Sequence, residues 1–279
     1  MITRRHLLGS SLSLAATASV AAKPVPAGRL KQSVSRWCYQ KIPLDELCAF
    51  AVSIGLQGID LLQPDEYDVP RRHGLRCTMG YAAPEMTISD GLNRRENHAA
   101  IERAFRTGIP RAARSGVPNV IAFPGNRRGL SDEEGAANTV AGLNRLKRIA
   151  EDHGVTICLE LLNSKVDHPD YMADHTAWGV AVMEQVNSPR VKLLYDAYHM
   201  QIMEGDLIAT IRKNIGWIGH IHTGGVPGRH ELNETQEVNW RAVAKAAADM
   251  NFQGYFAHEF VPAGAPLPAL RDAVRTCTV

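Results

Sequence analysis

From residue 33 onward the chain alternates short β-branched or apolar runs with longer stretches in which apolar side chains return every three or four positions. The short runs are Val34–Tyr39, Gly58–Leu62, Leu75–Gly80, Asn119–Phe123, Val155–Leu161, Val191–Asp196, Trp217–His222 and Gly254–Phe260, and each reads as a strand. Pro43–Ile54, with Leu44, Leu47, Phe50, Ala51 and Ile54, and Asp132–Asp152, with Val140, Leu143, Leu146, Ile149 and Ala150, read as amphipathic helices. Gly55, Gly74, Gly116 and Gly154 stand where a helical stretch should stop before the next strand. Alternating β and α units imply a parallel sheet, and eight of them imply a single closed α/β barrel of the (β/α)8 type. A doubly wound open sheet is the alternative. The turn after the first run is Gln40-Lys41-Ile42-Pro43 and lacks the Gly-x-Gly-x-x-Gly signature of a dinucleotide site.

The last four runs share a feature. They end in Glu160, Asp196, His222 (with His220 two residues before) and Glu259, separated by 36, 26 and 37 residues. Each spacing is about one βα unit, so the four side chains come from four neighbouring strands. Alternation puts Val155, Ile157 and Leu159 on one face of the fifth run and Thr156, Cys158 and Glu160 on the other. By the same parity Asp196 is opposed to Val191, Leu193 and Tyr195, His222 shares a face with His220, and Glu259 is opposed to Phe256, His258 and Phe260. One inward assignment satisfies all four strands. Carboxylates gathered inside a barrel mouth repel one another and are expensively desolvated unless a positive charge sits between them. A divalent metal is the simplest compensation. Three carboxylates and an imidazole suit Mn²⁺ or Mg²⁺, with Co²⁺ or Zn²⁺ as further options. The C-terminal mouth of a parallel barrel is also where active sites of this fold sit.

Composition narrows the reading further. Of 279 residues 45% are hydrophobic and 22% charged, and 31 basic against 29 acidic side chains leave a formal charge of +2, an ordinary globular profile that gives no electrostatic case for a nucleic-acid partner. The arginine pairs 71/72, 94/95 and 127/128 read as solvated faces. The five cysteines are widely spaced without a Cys-x-x-Cys and read mostly as buried thiols. The N-terminus, Thr3-Arg4-Arg5-His6-Leu7-Leu8 followed by an uncharged Gly9–Ala22, has the layout of a twin-arginine (Tat) signal peptide over residues 1–22, with small Val20 and Ala22 before a cut. This predicts export to the periplasm of a 23–279 barrel domain of zero formal charge. The Ser- and Ala-rich segment makes a poor membrane span, so no stable span is expected once the signal is removed.

The second half of the chain resembles the xylose isomerase-like TIM-barrel superfamily and, within it, the hydroxypyruvate isomerase family. The resemblance is carried by Tyr195-Asp196-Ala197-Tyr198-His199-Met200-Gln201-Ile202-Met203-Glu204-Gly205-Asp206, Glu160-Leu161-Leu162-Asn163, Ile218-Gly219-His220-Ile221-His222, Gly228-Arg229-His230-Glu231 and His258-Glu259-Phe260. It covers roughly residues 30–275 and is thin over the first half. It implies Glu160, Asp196, His222 and Glu259 as ligands of one metal ion, Glu160 and Glu259 as the acid/base pair, and His199 and Arg229 as substrate contacts. The implied activity is an enediolate proton transfer on a small α-hydroxy carbonyl compound, hydroxypyruvate to tartronate semialdehyde. Two positions depart from the pattern: His222, where hydroxypyruvate isomerases commonly carry Gln and ketose 3-epimerases His, and the continuation Ser164-Lys165-Val166-Asp167.

Those departures keep a sugar epimerase or keto-sugar processing enzyme in view, and beyond enzymes a non-catalytic periplasmic sugar-binding barrel. A DNA-repair nuclease of the superfamily would need a His-rich three-metal site and a basic face. A homo-oligomer is compatible with the chain. Asp60 reads as a barrel-floor or loop anchor, His98 as solvated, Gly224–Gly228 as a mobile loop over the site, and Pro262–Pro268 as a loop before a closing helix. Trp37 and Tyr39 read either as a pocket wall or as a barrel plug.

Overall fold

The computed structural model describes residues 28–279, and the expected signal peptide lies outside the described residues. Eight parallel strands close a barrel in chain order. They are β1 Lys31–Ser35, β2 Gly58–Leu62, β3 Arg76–Gly80, β4 Asn119–Ala122, β5 Thr156–Glu160, β6 Val191–Asp196, β7 Ile218–Thr223 and β8 Tyr255–His258. The outer helices are α1 Leu44–Ser53, α2 His98–Arg114, α3 Asp132–His153, α4 Thr176–Val186, α5 Ala197–Met203, α6 Leu207–Asn214, α7 Trp240–Asp249 and α8 Pro266–Cys277. The units are uneven. β2 reaches β3 through only a 3-10 turn, Pro70–His73, while two helices, α5 and α6, separate β6 from β7. Among the described residues no helix is long and apolar enough to cross a membrane.

Local chemistry explains most boundaries. At the start of α3 the Ser131 hydroxyl accepts the Glu134 amide at 3.1 Å and three acidic residues fill the first turn, while Gly154 ends it in the left-handed conformation at φ 67°. The first strand is displaced from its expected place. Polar Lys31 and Gln32 join the sheet because they pair with Tyr255 and Phe256 of β8, and 36–39 turn away as a 3-10 segment. Arg36 closes that turn by donating to the carbonyls of Tyr39 (2.8 Å) and Ile42 (2.9 Å), so Trp37 and Tyr39 crest the mouth and do not end a strand.

The main apolar core lies between barrel and helices, with Ile59, Val120, Ile157, Leu193 and Phe256 from the outer strand faces against Leu47, Phe105, Leu143, Val182 and Val243 of the helices. Burying each such side chain contributes roughly 1.5–3 kcal/mol. A second cluster, Leu61, Met79, Ile121, Phe123, Cys158 and Leu194, fills part of the barrel interior. It depends on an irregularity in β2: Leu61 takes φ 56° and the β2–β3 register shifts on either side of Asp60, so Asp60 and Leu61 both contribute to the interior.

Two surface expectations are corrected. His98 is buried, its Nε2 2.8 Å from the Leu92 carbonyl, because α2 packs this face against Gly142 of α3. Arg94 and Arg127 are structural. Arg94 reaches the carbonyls of Arg127 (2.7 Å) and Arg128 (3.0 Å), and Arg127 bridges Asp132 (2.9 Å) and Asp174 (3.0 Å), which fixes the loop after β4.

All five cysteines are free, four of them buried, and burial raises their thiols, Cys48 to about 11. The native protein should therefore resist Ellman's reagent at pH 8 and release its thiols only in denaturant. Closure of the barrel carries a pH signature: His258 sits in the β8–β1 seam, Nε2 2.9 Å from Gln32 Oε1 and Nδ1 3.2 Å from Thr223 Oγ1, and burial lowers it to about 3. The unfolded chain takes up this proton below about pH 6.5 while the folded one refuses it, so stability falls from about pH 6.5 towards 3, on the order of 5 kcal/mol from this group. His258→Gln should flatten that part of the profile in urea titrations across this range.

Candidate functional site

The inward assignment read from strand parity holds. Glu160 closes β5, Asp196 closes β6, His222 lies in β7 and Glu259 follows β8, all buried at the C-terminal mouth, with one donor atom of each within 4.8 Å of all the others. His222 Nδ1 is the hub, 2.6 Å from Glu259 Oε2, 3.4 Å from Glu160 Oε1 and 3.9 Å from Asp196 Oδ2. Despite these approaches it makes no hydrogen bond of acceptable direction. A buried imidazole nitrogen of this kind, facing three carboxylates, is what a metal ligand requires, and the donor set fits one oxygen-preferring divalent ion.

The opposite nitrogen explains the orientation. His222 Nε2 stands 3.2 Å from Asp60 Oδ2, and His220 Nε2 stands 2.5 Å from the same oxygen. Ser33 donates to Asp60 Oδ1 at 2.8 Å, and Thr78 donates there too. Burial pushes the Asp60 carboxyl up, but His220 and His222 outweigh it and hold it at about 2. Asp60 is thus an interior anchor, as expected, but an anchor of the site's imidazoles; the signal in the sequence was a lone carboxylate in the otherwise apolar run Gly58–Leu62.

Asp196 has two tasks. Its Oδ1 caps α5, accepting the amides of Tyr198 (2.9 Å) and His199 (3.2 Å), and its Oδ2 accepts from Arg229 at 2.7 Å. The capped helix carries His199 into the site. Arg229, in left-handed conformation at φ 56°, spans the mouth: Nη2 also donates to Glu259 Oε2 (2.5 Å), Nη1 to His199 Nε2 (2.6 Å) and Nε to the Glu259 carbonyl (3.1 Å). Its guanidinium lies over the rings of Tyr198 (4.9 Å) and Trp37 (5.5 Å). Part of the positive charge that the carboxylates demand is therefore supplied by the chain itself, a contribution the sequence argument did not count.

These contacts divide the carboxylates. Burial raises Glu160, with His222 opposing and Glu259 reinforcing, and burial also raises Asp196, to about 7. Glu259 goes the other way: Arg229 and His222 overcome its burial and hold it well below the usual carboxylate range. Burial, then Arg229, keeps His199 neutral. Sequence reasoning left open the part of Trp37, whose Nε1 donates to Glu259 Oε1 at 2.5 Å, and missed Asn163, whose Nδ2 lies 2.6 Å from His199 Nδ1.

The family model described as the xylose isomerase-like TIM barrel matches residues 49–277. The chain belongs to this family. It is 27% identical over 172 residues to a putative hydroxypyruvate isomerase of Homo sapiens, covering 58% of this chain and 62% of that one. It is 25% identical over 241 residues to a 2-oxo-tetronate isomerase of Pectobacterium atrosepticum, covering 81% and 89%. The match to the Danio rerio putative hydroxypyruvate isomerase spans 45% of that protein's length. Among solved structures, an AP endonuclease, family 2, of Brucella melitensis superposes with TM-score 0.76 at 23% identity over 87% of this chain and 96% of that one. The 3-keto-D-glucoside 4-epimerase of E. coli gives 0.73 at 20% identity over 89% and 100%. At these identities the structural likenesses establish the fold of this xylose isomerase-like barrel.

Asp60→Asn keeps the size of the anchor but removes the charge that two buried imidazoles face. Breaking one partner of a buried pair costs about 3 kcal/mol, and denaturant unfolding of the variant should show a loss of that order.

Proposed function

We propose that this barrel is a divalent-metal-dependent isomerase acting on a short α-hydroxy carbonyl compound, hydroxypyruvate or a close analogue. The observation that carries the reading is the gathering of Glu160, Asp196, His222 and Glu259 from four neighbouring strands, buried at the barrel mouth with one donor atom of each within 4.8 Å of all the others, so that two glutamates flank one site. The isomerase names of the curated relatives support it.

Glu160, Asp196, His222 and Glu259 would hold the ion, Mn²⁺ or Mg²⁺ by preference, which when bound polarises the substrate oxygens and stabilises enediolate charge. Glu259 takes the proton from the hydroxyl-bearing carbon and Glu160 delivers one to the neighbouring carbon, while the hydroxyl proton passes to the neighbouring oxygen, so that the old hydroxyl becomes the carbonyl and the old carbonyl the hydroxyl. Neutral His199 and the Arg229 guanidinium orient the substrate, the arginine by pairing with its carboxylate. Trp37 and Tyr198, flanking Arg229, keep bulk water from the guanidinium.

A second reading, a sugar epimerase, is favoured by His222 and by a cavity of about 500 Å³ beside the site, lined by Gln63, Tyr81, Phe123, Asn126 and His168, the last with its ring 5.4 Å from that of His199. In this reading the proton returns to the carbon it left, from the other face. Turnover of hydroxypyruvate and of ketohexoses in D₂O, followed by NMR, separates the two, because the isomerase places deuterium on the carbon next to the one deprotonated and the epimerase on the same carbon. Glu259→Gln should lower kcat by about 10²–10⁴-fold while retaining metal stoichiometry, and undiminished turnover would overturn the assignment.

A further inference from the structure

The opposite, N-terminal mouth of the barrel holds a cavity of about 530 Å³. Lys31 opens β1, Arg76 opens β3, Lys192 is the second residue of β6 and Arg190 immediately precedes that strand, so four cationic side chains approach the cavity from both sides of the barrel. No lining residue is acidic. Among the described residues none of the four cations forms an ion pair, so no carboxylate of the chain neutralises the charge gathered at this mouth. Glycine keeps the space open: a Cβ on Gly219 would stand 2.9 Å from Cβ of Lys192.

Carbonyls at the rim satisfy little of this donor capacity. Lys31 Nζ donates to Gln253 O at 2.8 Å and Lys192 Nζ to Gly216 O at 2.7 Å, leaving each ammonium with further N–H bonds. Arg190 has one long contact, 3.5 Å to Thr156 Oγ1, and Arg76 lies beside the Tyr255 hydroxyl. Desolvation lowers Lys192, the sign of a charge lacking a counter-charge. Four like charges around one concavity repel, and an anion between them turns that repulsion into attraction. At about 530 Å³ the cavity has room for a compact anion or a small phosphomonoester. Four cations favour a dianion over a singly charged carboxylate, and guanidinium forks pair with phosphate oxygens bidentately.

We propose that the N-terminal mouth is a binding site for a compact phosphoryl dianion, inorganic phosphate or a phosphomonoester, held by Lys31, Arg76, Arg190 and Lys192. The site is separate from the C-terminal mouth and stands independently of the proposed isomerase activity. Isothermal titration of the full chain with inorganic phosphate, and in a parallel arm with glycerol phosphate, against sodium chloride of matched ionic strength, tests it. One saturable site is expected, weakened about tenfold by Arg76→Gln and further by the Arg76→Gln/Arg190→Gln pair. Both arginines are exposed, and unchanged circular dichroism verifies that the variants fold. The tighter of the two ligands identifies the source. Heats no larger than those of chloride would overturn the site, as would phosphate binding that survives the double variant or is lost in Arg229→Gln at the other mouth instead.

Discussion

The Asp60 carboxylate meets two imidazoles inside the barrel, His220 at 2.5 Å and His222 at 3.2 Å, and this contact sets the orientation on which the C-terminal mouth depends. With Nε2 engaged from below, His222 has only Nδ1 to offer to Glu160, Asp196 and Glu259 above it. An imidazole free to flip would turn a protonated nitrogen towards those carboxylates at one moment and a lone pair at the next. The buried pair removes that ambiguity, and hydroxyls of Ser33 and Thr78 fix the carboxylate in its turn. The site is therefore anchored by strands β1 to β3 although its own side chains come from β5 to β8.

Electrostatics then works outward from that anchor. Glu259 has Arg229, His222 and the Trp37 indole for company, whereas for Glu160 burial, reinforced by Glu259, outweighs the opposing His222, so two residues of one type come to differ in proton affinity. Arg229 links the parts by touching Asp196, Glu259 and His199 with one planar group. Arg229 meets part of the demand for positive charge at the mouth, which helps three buried carboxylates coexist in the protein alone.

The barrel and the four mouth residues were legible because both are periodic. Parity along β5 and β6 put Glu160 and Asp196 inside, and one-unit spacing put them on adjacent strands, where the structure has them. What pattern could not reveal depended on pairing across the chain. Lys31 and Gln32 look unlike strand residues until β8 lies beside them, and β1 was accordingly placed too late. His98 looks solvated until Gly142 receives it. The roles of Asp60 and Trp37 rest on partners 160 and 222 residues away in sequence, distances over which no local rule operates.

The bulge at Leu61 gives the barrel an unusual economy. A regular strand alternates its side chains and would have to choose between sending a carboxylate or an apolar group inward at this level, whereas β2 contributes Asp60 to the polar half of the interior and Leu61 to the apolar half in successive positions. A strand grafted into this position from a regular barrel would keep the hydrogen-bond ladder and still lose one half of the interior. The left-handed residue is thus the joint at which the imidazole support and the apolar cluster of the barrel interior are made compatible, so the site built on β5 to β8 depends on the backbone of a strand that lends it no ligand.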